Sequence, residues 1–339
     1  MRVRVLATCV VVLGGACTQP QIRPSDRVIA LAELNSASLA ALDPARTAFI
    51  LNSAPLEAHG PHIPIASDTY QGDYCARRMA EQLAASLPDW SIVVMPTLWY
   101  GIDGANLISE RLDIRGTISL RPSTLRALAA DLGSQLADQG FRWLFLVHVH
   151  GAALEHVALS DAADFVRETR GMGMFNIGSV GYTDRDPGVD SAFAARYSVA
   201  ERDRIGFDVH AGTAETSNML AVGPDLVGSN AQSLPDVTVR GWEDLDQAGR
   251  RPGWQGYWSA PALADSSLGR RMLDAWAARW AGFALRAIRG EDVSKLPRYP
   301  DGESPNANMR QAARSAARQH AFDMKFASWL LGRKSMIDQ

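Results

Sequence analysis

The chain has 339 residues, 47% of them hydrophobic, with 34 basic against 37 acidic side chains and a formal charge of -3. That length supports one large domain or two ordinary ones around a sizeable core. The near-neutral balance excludes a global positive field of the kind that recruits nucleic acid, and it suits a small neutral or zwitterionic substrate.

Met1-Arg-Val-Arg4, the apolar run Val5–Val12 and the small residues Gly14, Gly15 and Ala16 have the form of a bacterial export signal, too short to span a membrane as a stable helix. Gly15-Ala16-Cys17 resembles a lipobox. We therefore expect residues 1–16 to be a signal peptide and the mature protein to be periplasmic, anchored to the membrane only through lipid on Cys17. Residues 17–30, rich in Gln, Pro, Arg and Ser, read as a tether. Residues 31–290 read as the folded body and 291–339 as a C-terminal helical appendage. After cleavage only Cys17 and Cys75 remain, so no disulfide framework is available, and Cys75 reads as a small buried hydrophobe.

The body opens with a strand at Thr47–Ser53, a Gly/Pro loop and a helix from Tyr70 to Ser86. A strand follows at Ser91–Pro96, then a helix from Pro122 to Gly140 with Leu125, Leu128, Leu132 and Leu136 at helical spacing. Phe141–Val149 is apolar at nearly every residue, which suits a central parallel strand covered on both faces. A helix at Leu154–Arg170 and a strand near Met174–Tyr182 continue the alternation. Thr183–Ile205 reads as loop and short helix near the mouth of a site, and helices at 269–289 and 306–332 complete the chain. The rhythm predicts an α/β fold, three layers αβα around a mostly parallel central sheet.

In such a sheet the loops leaving the carboxyl ends of the strands meet at one edge, where ligands bind. Glu57, His59 and Asp68 follow the first of these strands and His150 ends the run Phe141–Val149, so four metal-binding residue types project from one edge. Imidazole and carboxylate donors suit a borderline divalent ion such as zinc, manganese or iron. Taken alone, Glu57-x-His59 with His62 reads more readily as ordinary loop residues beside a Gly-Pro turn.

The full stretch Glu57-Ala-His-Gly-Pro-His-Ile-Pro-Ile-Ala-Ser-Asp68 resembles the signature of the creatininase, or creatinine amidohydrolase, family. The resemblance continues in order through Arg115-Gly-Thr-Ile-Ser-Leu120, Gly140-Phe141 to His150-Gly151, Asp208-Val-His-Ala-Gly-Thr-Ala-Glu-Thr-Ser217 and Gly256–Arg270. It implies a dinuclear centre with Glu57, His59, Asp68 and His150 as ligands, Asp68 bridging two divalent ions. His210 is implied as the acid/base residue, oriented by Asp208, with hydroxide on the metal as nucleophile. The family's Glu two residues after its loop histidine is Ala152 here, which makes Glu215 the candidate replacement ligand, with a single metal as the alternative. Creatininase-like proteins commonly form homo-oligomers, and that assembly is the expectation here.

Other departures bear on the substrate. Arg111 and Arg115 bring positive charge to a loop, raising either an anionic substrate group or plain surface charge. His148 shares a strand face with His150, as a supporting residue, a substitute ligand or space-filling beneath the site. Trp242, Trp254 and Trp258 stand as pocket walls or as core. The expected activity is hydrolysis of a non-peptide C–N bond in a cyclic or small linear amide. The competing readings are a metal-dependent lactone or ester hydrolase and a non-catalytic surface lipoprotein that holds metal or ligand.

Overall fold

The computed structural model describes residues 27–102, 104–111, 114–182, 187–301 and 306–333. The expected export signal, Cys17 and the tether up to residue 26 lie outside them. Among the described residues no helix is long and apolar enough to cross a membrane.

The first half of the chain alternates β1 (Val28–Ala30), α1 (Ser36–Ala40), β2 (Thr47–Asn52), α2 (Ser67–Ser86), β3 (Ser91–Val94), α3 (Pro122–Asp138), β4 (Trp143–Val147), α4 (Ala153–Arg170) and β5 (Gly173–Asn176). The five strands form one parallel sheet in the order β1-β3-β2-β4-β5. This is the expected α/β architecture. Side chains alternate across a strand, so β2 and β4 feed two cores. Ala48, Ile50, Phe145 and Val147 pack with α2 and with α9 (Ser266–Ile288), whereas Phe49, Leu51, Leu144 and Leu146 pack with α3 and α4. Cys75 of α2 is fully buried, and that burial pushes its thiol pKa well up, as expected of a small hydrophobe.

Three segments differ from expectation. Val28–Ala30, assigned to the tether, is the edge strand β1, held to β3 while Arg27 donates to the carbonyls of Ala84 and Pro88. β5 ends at Asn176, and the chain then turns. The described part of Thr183–Ile205 holds two helices, α5 (Pro187–Arg196) and α6 (Val199–Ile205), the latter closed by a Ser198–Glu201 capping box. Tyr197 and Ile205 pack against Leu268 and Met272 of α9. Beyond them lie α7 (Thr213–Val222), α8 (Trp242–Gly249) and α10 (Ala307–Arg333), the last packed on α4 and α8.

This topology positions the site. From β2 the chain moves outward to β3 on one side and to β4 on the other, so the sheet reverses between β2 and β4. The residues that follow these two strands emerge together at that switch point, where parallel sheets bind ligands.

Candidate metal centre

Four segments converge beyond the ends of β2 and β4. The loop after β2 carries Glu57 and His59, and Asp68 sits in the first turn of α2, where the helix dipole favours an anion. His150 follows β4, and Glu215 lies in the first turn of α7, just after His210. Glu57 and His59 are 0% exposed, Asp68 1%, His210 3% and His150 6%, so the charges are out of water. Burial by itself raises the carboxylate pKa values. His210 and His150 overcome that for Glu57, and His59 and His150 for Asp68, holding both below their ordinary range. Conversely, burial lowers His59 and His150, but Glu215 and Asp68 lift the first and Glu57 and Asp68 the second.

Backbone carbonyls set the orientation of each imidazole. A carbonyl can only accept, so the ring nitrogen against it carries the hydrogen in the neutral ring. His59 Nδ1 donates to Glu57 O at 2.9 Å, His150 Nε2 to Ile102 O at 3.2 Å, and His210 Nε2 to Ala58 O at 2.8 Å. In that neutral form, which a cation bound among the carboxylates would favour over the proton they otherwise draw, the opposite nitrogen of each ring turns its lone pair toward carboxylate oxygens. His59 Nε2 faces Asp68 Oδ1 at 3.7 Å and Glu215 Oε2 at 3.5 Å. His150 Nδ1 faces Glu57 Oε2 and Asp68 Oδ2, each at 3.2 Å.

These atoms fit divalent ions. Glu57 Oε2, His59 Nε2 and Asp68 Oδ2 are buried without a hydrogen-bond partner. Separations of 3.5 and 3.7 Å at His59 are too long for hydrogen bonds. They lie within the span of two donors that each sit about 2.1 Å from one ion. The donors fall into the triads Glu57–Asp68–His150 and His59–Asp68–Glu215, each within 4.8 Å, with Asp68 common to both and one of its oxygens turned to each histidine. A third triad, Glu57–His59–His210, ties His210 to the same space. His210 Nδ1 lies 3.6 Å from Glu57 Oε1 and 3.8 Å from Glu215 Oε2.

One expected supporting role is corrected. Asp208 does not hold His210, whose ring is fixed by Ala58 O. Its Oδ2 accepts from Ala214 N at 2.8 Å, capping α7 and thereby setting the turn that carries Glu215. Arg111 is not among the described residues that line this chain's own pocket. Its guanidinium donates to the carbonyl of Arg251 at 3.0 Å and reaches that of Gly249 at 3.5 Å, while Arg115 is exposed. His148 lies beneath the site against Asn176 Oδ1 and His150 O, outside the three triads, its pKa lowered to about 4 mainly by burial. Of the tryptophans, Trp242 lines the pocket, whereas Trp254 and Trp258 pack against each other at a tilt in a core cluster.

Sequence reasoning missed Glu155. Fully buried in the first turn of α4, it accepts from Ser53 Oγ at 3.1 Å and Ile102 N at 2.7 Å. Ile102 O is the acceptor that orients His150, so Glu155 braces a candidate ligand through the backbone. A Cβ at Gly101 would come 2.1 Å from Glu155 Oε2, so the loop approaches this closely only as glycine. A Glu and a Gly 54 positions apart in sequence carry no local signal of that contact.

A parallel α/β sheet with a buried histidine–carboxylate centre at its switch point is the arrangement of a metal-dependent hydrolase. The family model described as creatinine amidohydrolase matches residues 32–284, and the chain belongs to this creatininase family of amide-bond hydrolases. It is 31% identical over 205 residues to a mycofactocin precursor peptide peptidase of Mycobacterium ulcerans (strain Agy99), covering 59% of this chain and 68% of that protein. It is also 31% identical over 178 residues to a creatinine amidohydrolase of Pseudomonas putida, covering 51% of this chain and 63% of that one. Among solved structures, a Zn-Zn type mutant creatininase superposes with a TM-score of 0.59 at 24% identity, over 77% of this chain and 98% of that one.

Proposed function

We propose that this chain is a two-ion amidohydrolase acting on a small cyclic or linear amide. The observation that carries this reading is Asp68, whose two oxygens face two different histidines, each completed by a further carboxylate. Glu57, Asp68 and His150 would hold one divalent ion, and His59, Asp68 and Glu215 the other, zinc or manganese. Bound there, the ions would polarise the scissile carbonyl and acidify water. The chain's own contribution is orientation and proton movement. His210, tethered through Nε2, keeps Nδ1 toward the centre, where it can take a proton from the attacking water and return it to the leaving nitrogen. Burial of the surrounding groups excludes bulk water and strengthens each of these interactions.

The names of the two relatives carry different substrates, a precursor peptide and creatinine. A hydroxide-generating centre of this kind does not itself distinguish the two kinds of C–N bond, so the pocket walls would choose. The test is metal analysis of the purified chain together with hydrolysis of creatinine, a hydantoin, a formamide and a short peptide. The expected result is two ions per chain and turnover of one amide class, abolished by chelation and restored by zinc or manganese. Turnover that survives chelation would overturn the reading.

A further inference from the structure

The family match ends at residue 284, but the pocket does not. Asn308 and Gln311, in the first turns of α10, line the same cavity as Glu57, His150, His210 and Glu215. They are 7% and 3% exposed, so any ligand group that reaches them leaves water behind.

Their hydrogen bonds show what they can still do. Asn308 Nδ2 donates to Gly151 O at 3.1 Å and lies 2.6 Å from the Tyr299 hydroxyl. Gly151 O can only accept, which fixes the amide orientation and leaves Asn308 Oδ1 as an acceptor without a bond to the chain. Gln311 donates one Nε2 hydrogen to Ser315 Oγ at 3.0 Å, which leaves its second Nε2 hydrogen as a donor and its oxygen as an acceptor. Among the described residues no lysine or arginine lines the cavity. Arg310 and Arg314, on the same helix, turn outward instead: Arg310 pairs with Glu243 of α8, and Arg314 with Glu110 and the Ile108 carbonyl. These pairs clamp α10 over the loop at 104–111, whose Ala105 N–H donates to Glu57.

We infer that α10 is the specificity wall of this active site: Asn308 Oδ1 accepts a hydrogen bond from the N–H of a primary carboxamide of the substrate, whose carbonyl takes the second Gln311 Nε2 hydrogen, away from the bond that is cleaved. A carboxylate in that position would leave Asn308 Oδ1 facing another acceptor. Each unmade bond to a buried polar group costs roughly 1–3 kcal/mol, so about tenfold or more in affinity separates the two groups. This inference rests on the metal-hydrolase reading above and supplies its substrate class.

The test uses two hydroxamates of equal length, one ending in a carboxamide and one in a carboxylate, titrated calorimetrically into the zinc-loaded full chain. The carboxamide probe should bind about tenfold tighter or better. Asn308→Ala should remove most of that preference and Gln311→Leu should weaken binding of the carboxamide probe, neither changing zinc content. Gln311→Leu keeps the side-chain volume and carries the test if Asn308→Ala unfolds. Equal binding of the two probes, a preference that survives Asn308→Ala, carboxamide binding unchanged by Gln311→Leu, or no binding of either probe to zinc-loaded protein overturns the inference. Zinc content in the same samples judges the metal reading separately: a chain that takes up no zinc fails both, and one that holds two ions without tail preference fails only this inference.

Discussion

The two halves of the centre rest on different supports. Glu57 and His150 leave the ends of β2 and β4, the two strands at the middle of the sheet, and Glu155 ties the His150 acceptor loop to the end of β2 through Ser53. The other half depends on Glu215, whose side chain is 21% exposed and which reaches His59 from α7, outside the sheet. Position 152, where the family pattern carries a Glu beside the loop histidine, is Ala152 at the pocket wall. One half is thus fastened by central strands and the other by the register of one helical turn. Local stability differs across a fold in this way, so the ion near Glu215 should be lost first on dilution into chelator.

Asp68 belongs to both halves, and its substitution should have the largest effect. Asp68→Asn is expected to drop metal content from two ions to below one and hydrolysis to background. Retention of two ions would show that the halves do not share it. His210→Ala spares both triads, so two ions should remain while turnover falls about a hundred- to ten-thousandfold, the range for a lost acid/base residue. Glu215→Gln should separate the halves, leaving one tightly held ion. Adding Ala152→Glu to Glu215→Gln sharpens the contrast, because a carboxylate from the β4 side should then restore the second ion. If Glu215→Gln keeps two ions by itself, the helix-borne half is not where the structure's geometry implies.

The same contrast explains what could be read in the sequence. β2 and β4 announce themselves as apolar runs buried on both faces, and their carboxyl-end residues Glu57 and His150 were legible with them. β1 was not, because three residues behind Arg27 give no periodicity and pair only as an edge. The imidazole tautomers were invisible for a different reason: Glu57 O, Ile102 O and Ala58 O are backbone atoms that any residue supplies. Helix α10 could be predicted from its composition, but its face toward the pocket is decided by the long-range pairs of Arg310 and Arg314. The spacing Asp208-x-His210 suggests a side-chain pair, whereas the fold gives the carboxylate to the Ala214 N–H.

The smallest predicted effect concerns that carboxylate and the helix-borne half it supports. Burial pushes the Asp208 pKa up to about 7, the Ala214 N–H opposes the shift, and Glu215 adds to it. This lies above the ordinary Asp value, so between roughly pH 4 and 7 the folded chain keeps a proton that the unfolded chain has released. The stability it contributes is therefore complete below the unfolded pKa and is lost as pH rises through the folded one. Asparagine in its place accepts the same N–H and cannot ionise. The unfolding free energy of Asp208→Asn relative to the parent chain, from urea titrations, should rise with pH between 5 and 7 and level off near pH 8. The slope should not exceed about 1.4 kcal/mol per pH unit, the limit for one proton. A flat difference would mean that Asp208 is already ionised in the folded chain at pH 5. The start of α7, and with it Glu215, would then be held by a full charge rather than by a neutral acceptor.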